Sequence, residues 1–394
     1  MANNNNNKIL NVPNLRFPEF TGEWKRTKIS DLLEFFSTNS LSWEQLDYEN
    51  GKIRNLHYGL IHKGLPTMVD LSKETLPFVK GEAPRNYTIC KDGDVAFADA
   101  SEDTNDVAKA IEFINCNNED VICGLHSIHG RDKTKSTIVG YKGYAFASFA
   151  FHKQIRRITQ GTKIYSIGTK NFNETYVGVP SIEEQTKIAR LLFLIDERIS
   201  TQNKIIDKLE SLIKGIGNTL LNDSNIDGRL VKLADICHIS TGKLDANAMV
   251  KEGEYPFFTC AEKPFRINDY AFDTEALLVS GNGANLGYIN YYKGQFNAYQ
   301  RTYVLDEFTE NIQFVRIALK VFLPKRIAIE KSTSNTPYIV LSTLSEMRLF
   351  IPNEIIQKDV VKLTINLETK LSLQESLLVH YKKTKHYLLQ QMFI

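Results

Sequence analysis

The sequence predicts an α+β fold arranged as a twofold pseudo-repeat: two globular units, each followed by a long helix, with the two helices antiparallel in a coiled coil. Three observations carry that prediction. The stretch VPSIEEQTKIARLLFLID (Val179 to Asp196) returns as IPNEIIQKDVVKLTINLE within Leu349 to Glu368, with Pro180 recurring as Pro352, an offset of 172 residues. Each copy opens an apolar heptad seam, and each half of the chain is acidic early and basic late.

Taken in order, the opening MANNNNNK is polar and of low complexity, which assigns residues 1–20 to a disordered tail. The 394 residues, 42% of them apolar, suffice for two or three domains with real cores. Their boundaries are expected at 21–180 and 223–352 for the globular units and at 181–222 and 353–394 for the helices. The five cysteines form no CxxC pair and no charged-then-apolar leader precedes them, which predicts a reduced, cytoplasmic protein. The most apolar run, Leu191 to Ile195, is too short for a bilayer.

The repeated segment begins with a strand (Tyr176, Val177, Val179; Leu349, Phe350, Ile351) and then a proline. Ser181 with Glu184 reads as a capping box, satisfying orphan backbone donors at the helix start. Beyond it, Ile188, Leu192, Ile195, Ile199, Gln202, Ile206, Leu209, Ile213, Ile216 and Leu220 alternate in steps of four and three, a heptad seam. Shifted by 172, the seam runs from Val360 to Met392, with Gln374 at the position of Gln202. A lone 40-residue helix, roughly 60 Å long, would leave this stripe in water at about 25 cal/mol per Å², so each seam requires a partner and the other copy is the simplest. Antiparallel pairing would bring Ile188 to Leu388 and Leu220 to Ile356. It would also set Gln202 against Gln374, where two amides fix register across an apolar seam. The segment Asn222 to Gly228 reads as a joint.

Charge is polarised within each half. Nine acids and one base lie between Asp92 and Asp120, and nine bases and one acid between Arg131 and Lys170. Six acids and two bases lie between Glu252 and Glu275, and five bases and one acid between Arg316 and Lys331. That order suits a protein whose basic surface is confined to one face.

Catalytic constellations are not found. Gly281, Gly283 and Gly287 imitate a dinucleotide-binding loop, but the β-prone YINYYKGQFNAY follows where a helix is required, so they read as a tight strand connection. STGK at Ser240 to Lys243 has Cys237 where a phosphate loop needs glycine. His126, His129, Cys116 and Cys123 have no metal-ligand spacing and read as buried or loop residues. Base-methylation and nuclease signatures are missing as well. What remains fits a binding protein.

At this point the residues carry a resemblance. NVPNLRFPEFTGEW (Asn11 to Trp24), YGLIHKG (Tyr58 to Gly64), GLHSIHGRDK (Gly124 to Lys133) and above all the duplicated proline-strand-helix motif with its Glu184–Gln185 pair resemble the specificity subunit of type I restriction-modification systems. The second copy departs from the motif, with Ile356 in place of Glu and only Gln357 kept.

The resemblance implies two target-recognition domains reading the halves of a split, asymmetric site in double-stranded DNA, joined by spacer helices. Two methylation subunits would dock on those helices, and restriction subunits through them. It implies a non-catalytic chain with no cofactor or metal of its own, S-adenosylmethionine, ATP and Mg belonging to the partner subunits. A scaffold whose domains bind proteins instead of DNA is the alternative. Polar side chains on loops can bond base edges. The first domain offers Lys52, Arg54, His57, Tyr58, Arg131, Thr162 and Lys163, and Arg156 and Arg157 for phosphates. The second offers Lys243, Asn282, Asn285, Gln300, Arg301, Ser332, Thr333, Ser334 and Asn335.

Overall fold

The computed structural model describes residues 10–116, 119–220, 227–331 and 338–394, the side chains of 217–220, 330 and 331 excepted. By its internal contacts the chain divides into unit 1, Met1–Asn203 with Leu377–Ile394, and unit 2, Lys204–Ser376. Among the described residues no helix is long and apolar enough to cross a membrane.

Unit 1 contains β1 (Lys25–Lys28), β2 (Leu33–Phe36), β3 (Leu46–Asp47), β4 (Ile53–Leu56), β5 (Met68–Asp70) and β6 (Phe78–Val79). There follow β7 (Val95–Ala98), β8 (Ala100–Ser101), β9 (Ala110–Ile114), β10 (Asp120–Cys123), β11 (Ser127–Asp132), β12 (Tyr165–Ser166) and β13 (Tyr176–Val179). A five-stranded sheet has the order β2-β11-β7-β9-β5 and a four-stranded sheet the order β10-β4-β6-β3. Successive side chains of a strand point to opposite faces, and β7 uses both: Val95 and Phe97 enter one core, Ala96 and Ala98 another. The Phe97 ring centroid lies 4.9 Å from that of Phe146 and 5.0 Å from that of Phe172.

The helix Phe149–Ile158 covers this core with Phe151 and Ile155, and the Ser148 hydroxyl caps it by accepting from the Phe151 N–H at 3.2 Å. Its His152 is pushed down to about 4 by burial and then by Arg156, with Lys109 adding to the effect and Asp106 opposing it. The folded state therefore holds a neutral imidazole that the unfolded chain protonates near its ordinary value. As pH falls from about 6.5 to about 4, unit 1 should lose up to about 3 kcal/mol, and His152→Phe should flatten that loss. Urea midpoints across this range check it; parallel slopes for both proteins would remove His152 as the cause.

Unit 2 contains β14 (Gly228–Lys232), β15 (His238–Thr241), β16 (Tyr255–Phe258), β17 (Phe265–Ile267), β18 (Phe272–Ser280), β19 (Ile289–Ala298), β20 (Thr302–Asp306) and β21 (Arg348–Pro352). Six of these strands form one sheet in the order β15-β20-β18-β19-β16-β17. The helix Ile312–Lys331 buries Phe314, Val315, Leu319 and Leu323 in a core with Leu277, Val279, Ile289 and Leu305 of the sheet.

The repeat is visible in three dimensions. In unit 1, β1 pairs antiparallel with β13, setting Lys25 opposite Val179; in unit 2, β14 pairs antiparallel with β21, setting Gly228 opposite Pro352. Each closing strand runs into a long helix, the central helix Ile182–Leu220 and the C-terminal helix Glu354–Gln391. In unit 1 the start of the central helix meets the end of the C-terminal helix, with Ile188 and Leu192 sharing a core with Leu388 and Met392. There Lys385 Nζ pairs with Asp196 at 2.6 Å. In unit 2 the partnership is reversed, Ile216 packing on the core that holds Val360 and Ile356. The helices are thus antiparallel in both places. Every described seam position from Ile188 to Ile216 is buried or half-buried, while Leu194, Ile205 and Leu212 off the seam are exposed. Gln202 is buried in unit 1 and Gln374 half-buried in unit 2. The side chain of Leu220 and most of the 222–228 joint lie outside the described residues.

Two details differ from the sequence reading. Ser181 Oγ does accept from the Glu184 N–H at 3.3 Å, but the Glu184 carboxylate does not close the capping box. It takes a bidentate pair with Arg16, both bonds at 2.7 Å, because a fork of guanidinium donors outcompetes a single backbone N–H. That pair also corrects the tail: residues 10–20 are tied down, with the Leu15 N–H donating to the Gln391 carbonyl at 2.9 Å and the Asn14 amide to the Gln391 side chain at 3.1 Å.

Candidate nucleic-acid interface

Each unit closes on a glutamine at the same repeat position. Gln185 Nε2 donates to the Pro180 carbonyl at 3.0 Å and to the Ser136 carbonyl at 2.9 Å, while its Oε1 accepts from the Ile138 N–H at 3.0 Å. Gln357 Nε2 donates to the Pro352 carbonyl at 3.0 Å and to Glu310 at 2.8 Å, and its Oε1 accepts from the Asn311 N–H at 3.2 Å. Both amides are buried and clamp a loop of their own unit to the helix start. A buried amide with all its partners satisfied fixes geometry, so the loops farther out are held on a rigid base.

In unit 2 the sheet gathers five sequence-predicted residues at one edge. Lys243 follows β15, Asn282 and Asn285 lie between β18 and β19, and Gln300 and Arg301 lie between β19 and β20. The Gly281 N–H donates to the Arg301 carbonyl at 2.8 Å, the Gln300 N–H to the Leu244 carbonyl at 2.9 Å, and the Asn285 amide to the Cys260 carbonyl at 3.1 Å. Lys243, Gln300 and Arg301 are exposed, and Asn282 and Asn285 half-buried. The glycines Gly283 and Gly287 take positive φ here, and the strand β19 follows them where a phosphate loop would open a helix, so this is a strand connection. Ser332, Thr333, Ser334 and Asn335 lie outside the described residues.

Unit 1 divides its set. Lys52, Arg157, Thr162 and Lys163 are exposed. Arg156 is half-buried and reaches Asn105 at 3.3 Å. Tyr58 lines a cleft with His62, Lys63, Asp103, His126 and Ile164, which brings it beside the loop that carries Thr162 and Lys163. Three others are engaged inside the unit. Arg54 pairs with Glu119, donates to the Leu76 carbonyl and lies over the Phe78 ring at 4.1 Å. Arg131 forks onto Asp94 with two bonds of 2.7 Å. His57 is buried, and its Nδ1 accepts from the Gly59 N–H at 3.1 Å, consistent with burial, His126 and Lys63 all pushing its pKa down. The basic run from Arg131 to Lys170 is likewise thinner at the surface than along the chain, since Lys142 is buried against Glu112.

Sequence reasoning missed Trp43. Its ring stacks on His57 at 4.3 Å, His57 on Tyr58 at 4.7 Å, and Lys63 sits over the indole at 5.2 Å. The indole is more than a third exposed, and the signal for it was an aromatic and basic cluster around YGLIHKG.

Residues 21–211 and 226–378 each match the model of the type I restriction modification DNA specificity domain, one match per repeat. The chain belongs to that family. Among the specificity domain's relatives, the type I restriction enzyme EcoDI specificity subunit of Escherichia coli is 41% identical over 128 residues, 32% of this chain and 28% of that protein. A putative type I specificity subunit of Mycoplasma pneumoniae is 23% identical over 248 residues, 57% of this chain and 66% of that one. The alignments thus span less than two thirds of either relative. The crystal structure of a type I restriction-modification S subunit from M. genitalium shares the fold, with a TM-score of 0.63 at 17% identity over 97% of this chain and 99% of that one. A chain from a study of type I system assembly and conformational transition matches at 0.56 and 15% identity, over 93% and 96%.

Proposed function

We propose that this chain is the non-catalytic DNA-recognition subunit of a type I restriction-modification complex, each unit reading one half of a bipartite, asymmetric site. The observation that supports this most is the repeated frame: the same strand closure, glutamine clamp and helix start in both units, carrying different loop sets. Methylation subunits would dock on the long helices, restriction subunits would join through them, and S-adenosylmethionine, ATP and Mg would belong to those partners.

Exchange of residues 21–180 for the equivalent segment of a related subunit tests the proposal. Methylome sequencing of cells carrying the exchanged protein with its methylation subunits should show one half of the modified sequence changed and the other kept. A change in both halves would overturn the two-reader assignment, and a protein that never supports methylation or binds DNA would favour the protein scaffold.

Phosphate contacts release counterions, so affinity should fall steeply with salt, and each lost contact should lower the steepness of the fall of log K with log salt by about 0.9. Arg156→Ala with Arg157→Ala is expected to lower it by one to two such steps. An unchanged slope returns both residues to the ordinary surface.

A further inference from the structure

Cys90, Cys123 and His129 converge in unit 1 where its two main sheets meet. Cys123 ends β10 of the four-stranded sheet, and His129 belongs to β11 of the five-stranded sheet. Cys90 is held beside β10 by its own N–H, which donates to the Val121 carbonyl at 2.8 Å. All three side chains are at least 97% buried. One ligand atom from each lies within 4.8 Å of the others, and the two sulfurs are 3.6 Å apart. That separation, which a thiol–thiol hydrogen bond also gives, excludes a disulfide and has room for a shared metal. Two thiolates on a tetrahedral zinc with bonds of about 2.3 Å stand about 3.8 Å apart, whereas the sulfurs of a disulfide stand about 2.05 Å apart.

The imidazole supplies an independent observation. His129 Nε2 is fixed by the Asp94 carboxylate at 2.8 Å, while Nδ1 is buried with no hydrogen bond of normal geometry, its polar neighbour being the Cys90 sulfur. A carboxylate behind an imidazole is the arrangement that orients a metal-binding histidine. Asp94 is itself held by the fork of Arg131 and by the Lys91 N–H at 2.9 Å. Two soft sulfurs and an imidazole in a dry pocket select zinc over magnesium or calcium, which prefer oxygen.

We propose that Cys90, Cys123 and His129 bind a structural zinc ion that staples the two sheets of unit 1. The spacing read along the chain hides this set, because Cys90 stands 33 residues before Cys123 and enters only through the fold. Two of the four residues considered from sequence, Cys123 and His129, belong to this set; of the others, His126 is exposed and Cys116 is half-buried against the same apolar cluster as Cys90 and Cys123. Because β4 pairs with β10, the staple would also hold the strand that leads into His57 and Tyr58.

The full-length protein, purified without chelator, should carry about one zinc per chain by elemental mass spectrometry. Cys90→Ser and Cys123→Ser should each lower that content roughly tenfold, with Cys260→Ser of unit 2 as the unchanged control. Chelation of the wild-type protein should lower its melting temperature, and zinc but not magnesium should restore it; this arm needs no variant to fold. Cobalt(II) in place of zinc should give thiolate charge-transfer absorption that the cysteine variants lose. A wild-type protein free of zinc whose melting ignores both chelator and zinc would overturn the proposal. So would equal zinc in the wild type and the cysteine variants, or a Cys90–Cys123 disulfide, seen as a chain lighter by two hydrogens.

Discussion

Replacing Glu112 by alanine is expected to destabilise unit 1 by about 3–5 kcal/mol, the range for breaking a buried ion pair. Glu112 is fully buried in β9, and its carboxylate accepts from the Gly140 N–H at 2.9 Å and the Gly143 N–H at 2.7 Å. It also pairs at 3.1 Å with Lys142, whose side chain is 3% exposed. Burial pushes the Glu112 pKa up, and the lysine and the two amides oppose that rise. Alanine would strand a buried ammonium and two backbone donors together, with only the Ile138 carbonyl, 3.3 Å from Lys142 Nζ, left to accept. Replacing both partners, Glu112→Leu with Lys142→Met, should recover only part of the loss, because neither charge is then left unpaired but the Gly140 and Gly143 N–H groups still lack their acceptor. Both tryptophans of the chain, Trp24 and Trp43, belong to unit 1, so their fluorescence in a urea titration reports this unit alone. A single replacement costing less than about 1 kcal/mol would mean the pair is not ionised as described.

The second large effect lies in unit 2. An alanine Cβ at Gly242 would stand 1.9 Å from the Ala298 carbonyl oxygen and 2.2 Å from its carbon. Both are backbone atoms, so relief requires the strand connection to move, at about 1–3 kcal/mol or more. Gly242 is buried, and its N–H donates to the Thr302 carbonyl at 3.2 Å, fastening the Lys243 loop to the turn that bears Gln300 and Arg301. If the chain acts as proposed, Gly242→Ala should therefore lower the affinity of the assembled complex for DNA at least about tenfold, which corresponds to 1.4 kcal/mol. Discrimination should weaken in one half of the recognised sequence only, with tryptophan-detected unfolding of unit 1 unchanged. Undiminished methylation would show that this edge of the sheet is not where the second half-site is read.

The frame was legible in the sequence because it is local and repeated. Pro180 and Pro352, the helix starts beside them and the heptad seams each depend on residues within a few positions of one another. The surface was much less legible. The sequence reading puts Arg54 and Arg131 on solvent-facing loops, yet Arg54 lies in β4 and meets Glu119 across 65 residues, and Arg131 lies in β11 and meets Asp94 across 37. Pairings of that range are set by sheet order, which no local pattern encodes. Lys142 is the sharpest case, contributing to a basic run along the chain while lying buried in the fold.

The strand closures also bear on how such a chain changes over generations. The segment enclosed by β1 and β13 runs over 29–175, and that enclosed by β14 and β21 over 233–347. Their lengths differ, but loop-closure entropy grows only with the logarithm of length, so the longer one costs just about 0.2 kcal/mol more to close. A lineage can therefore lengthen, shorten or rewrite what lies inside either frame at almost no entropic penalty, provided the two bounding strands and the glutamine behind them persist. Novelty in what is read would accumulate in the enclosed segments, while inheritance of how the parts assemble stays with some forty residues of helix on each side.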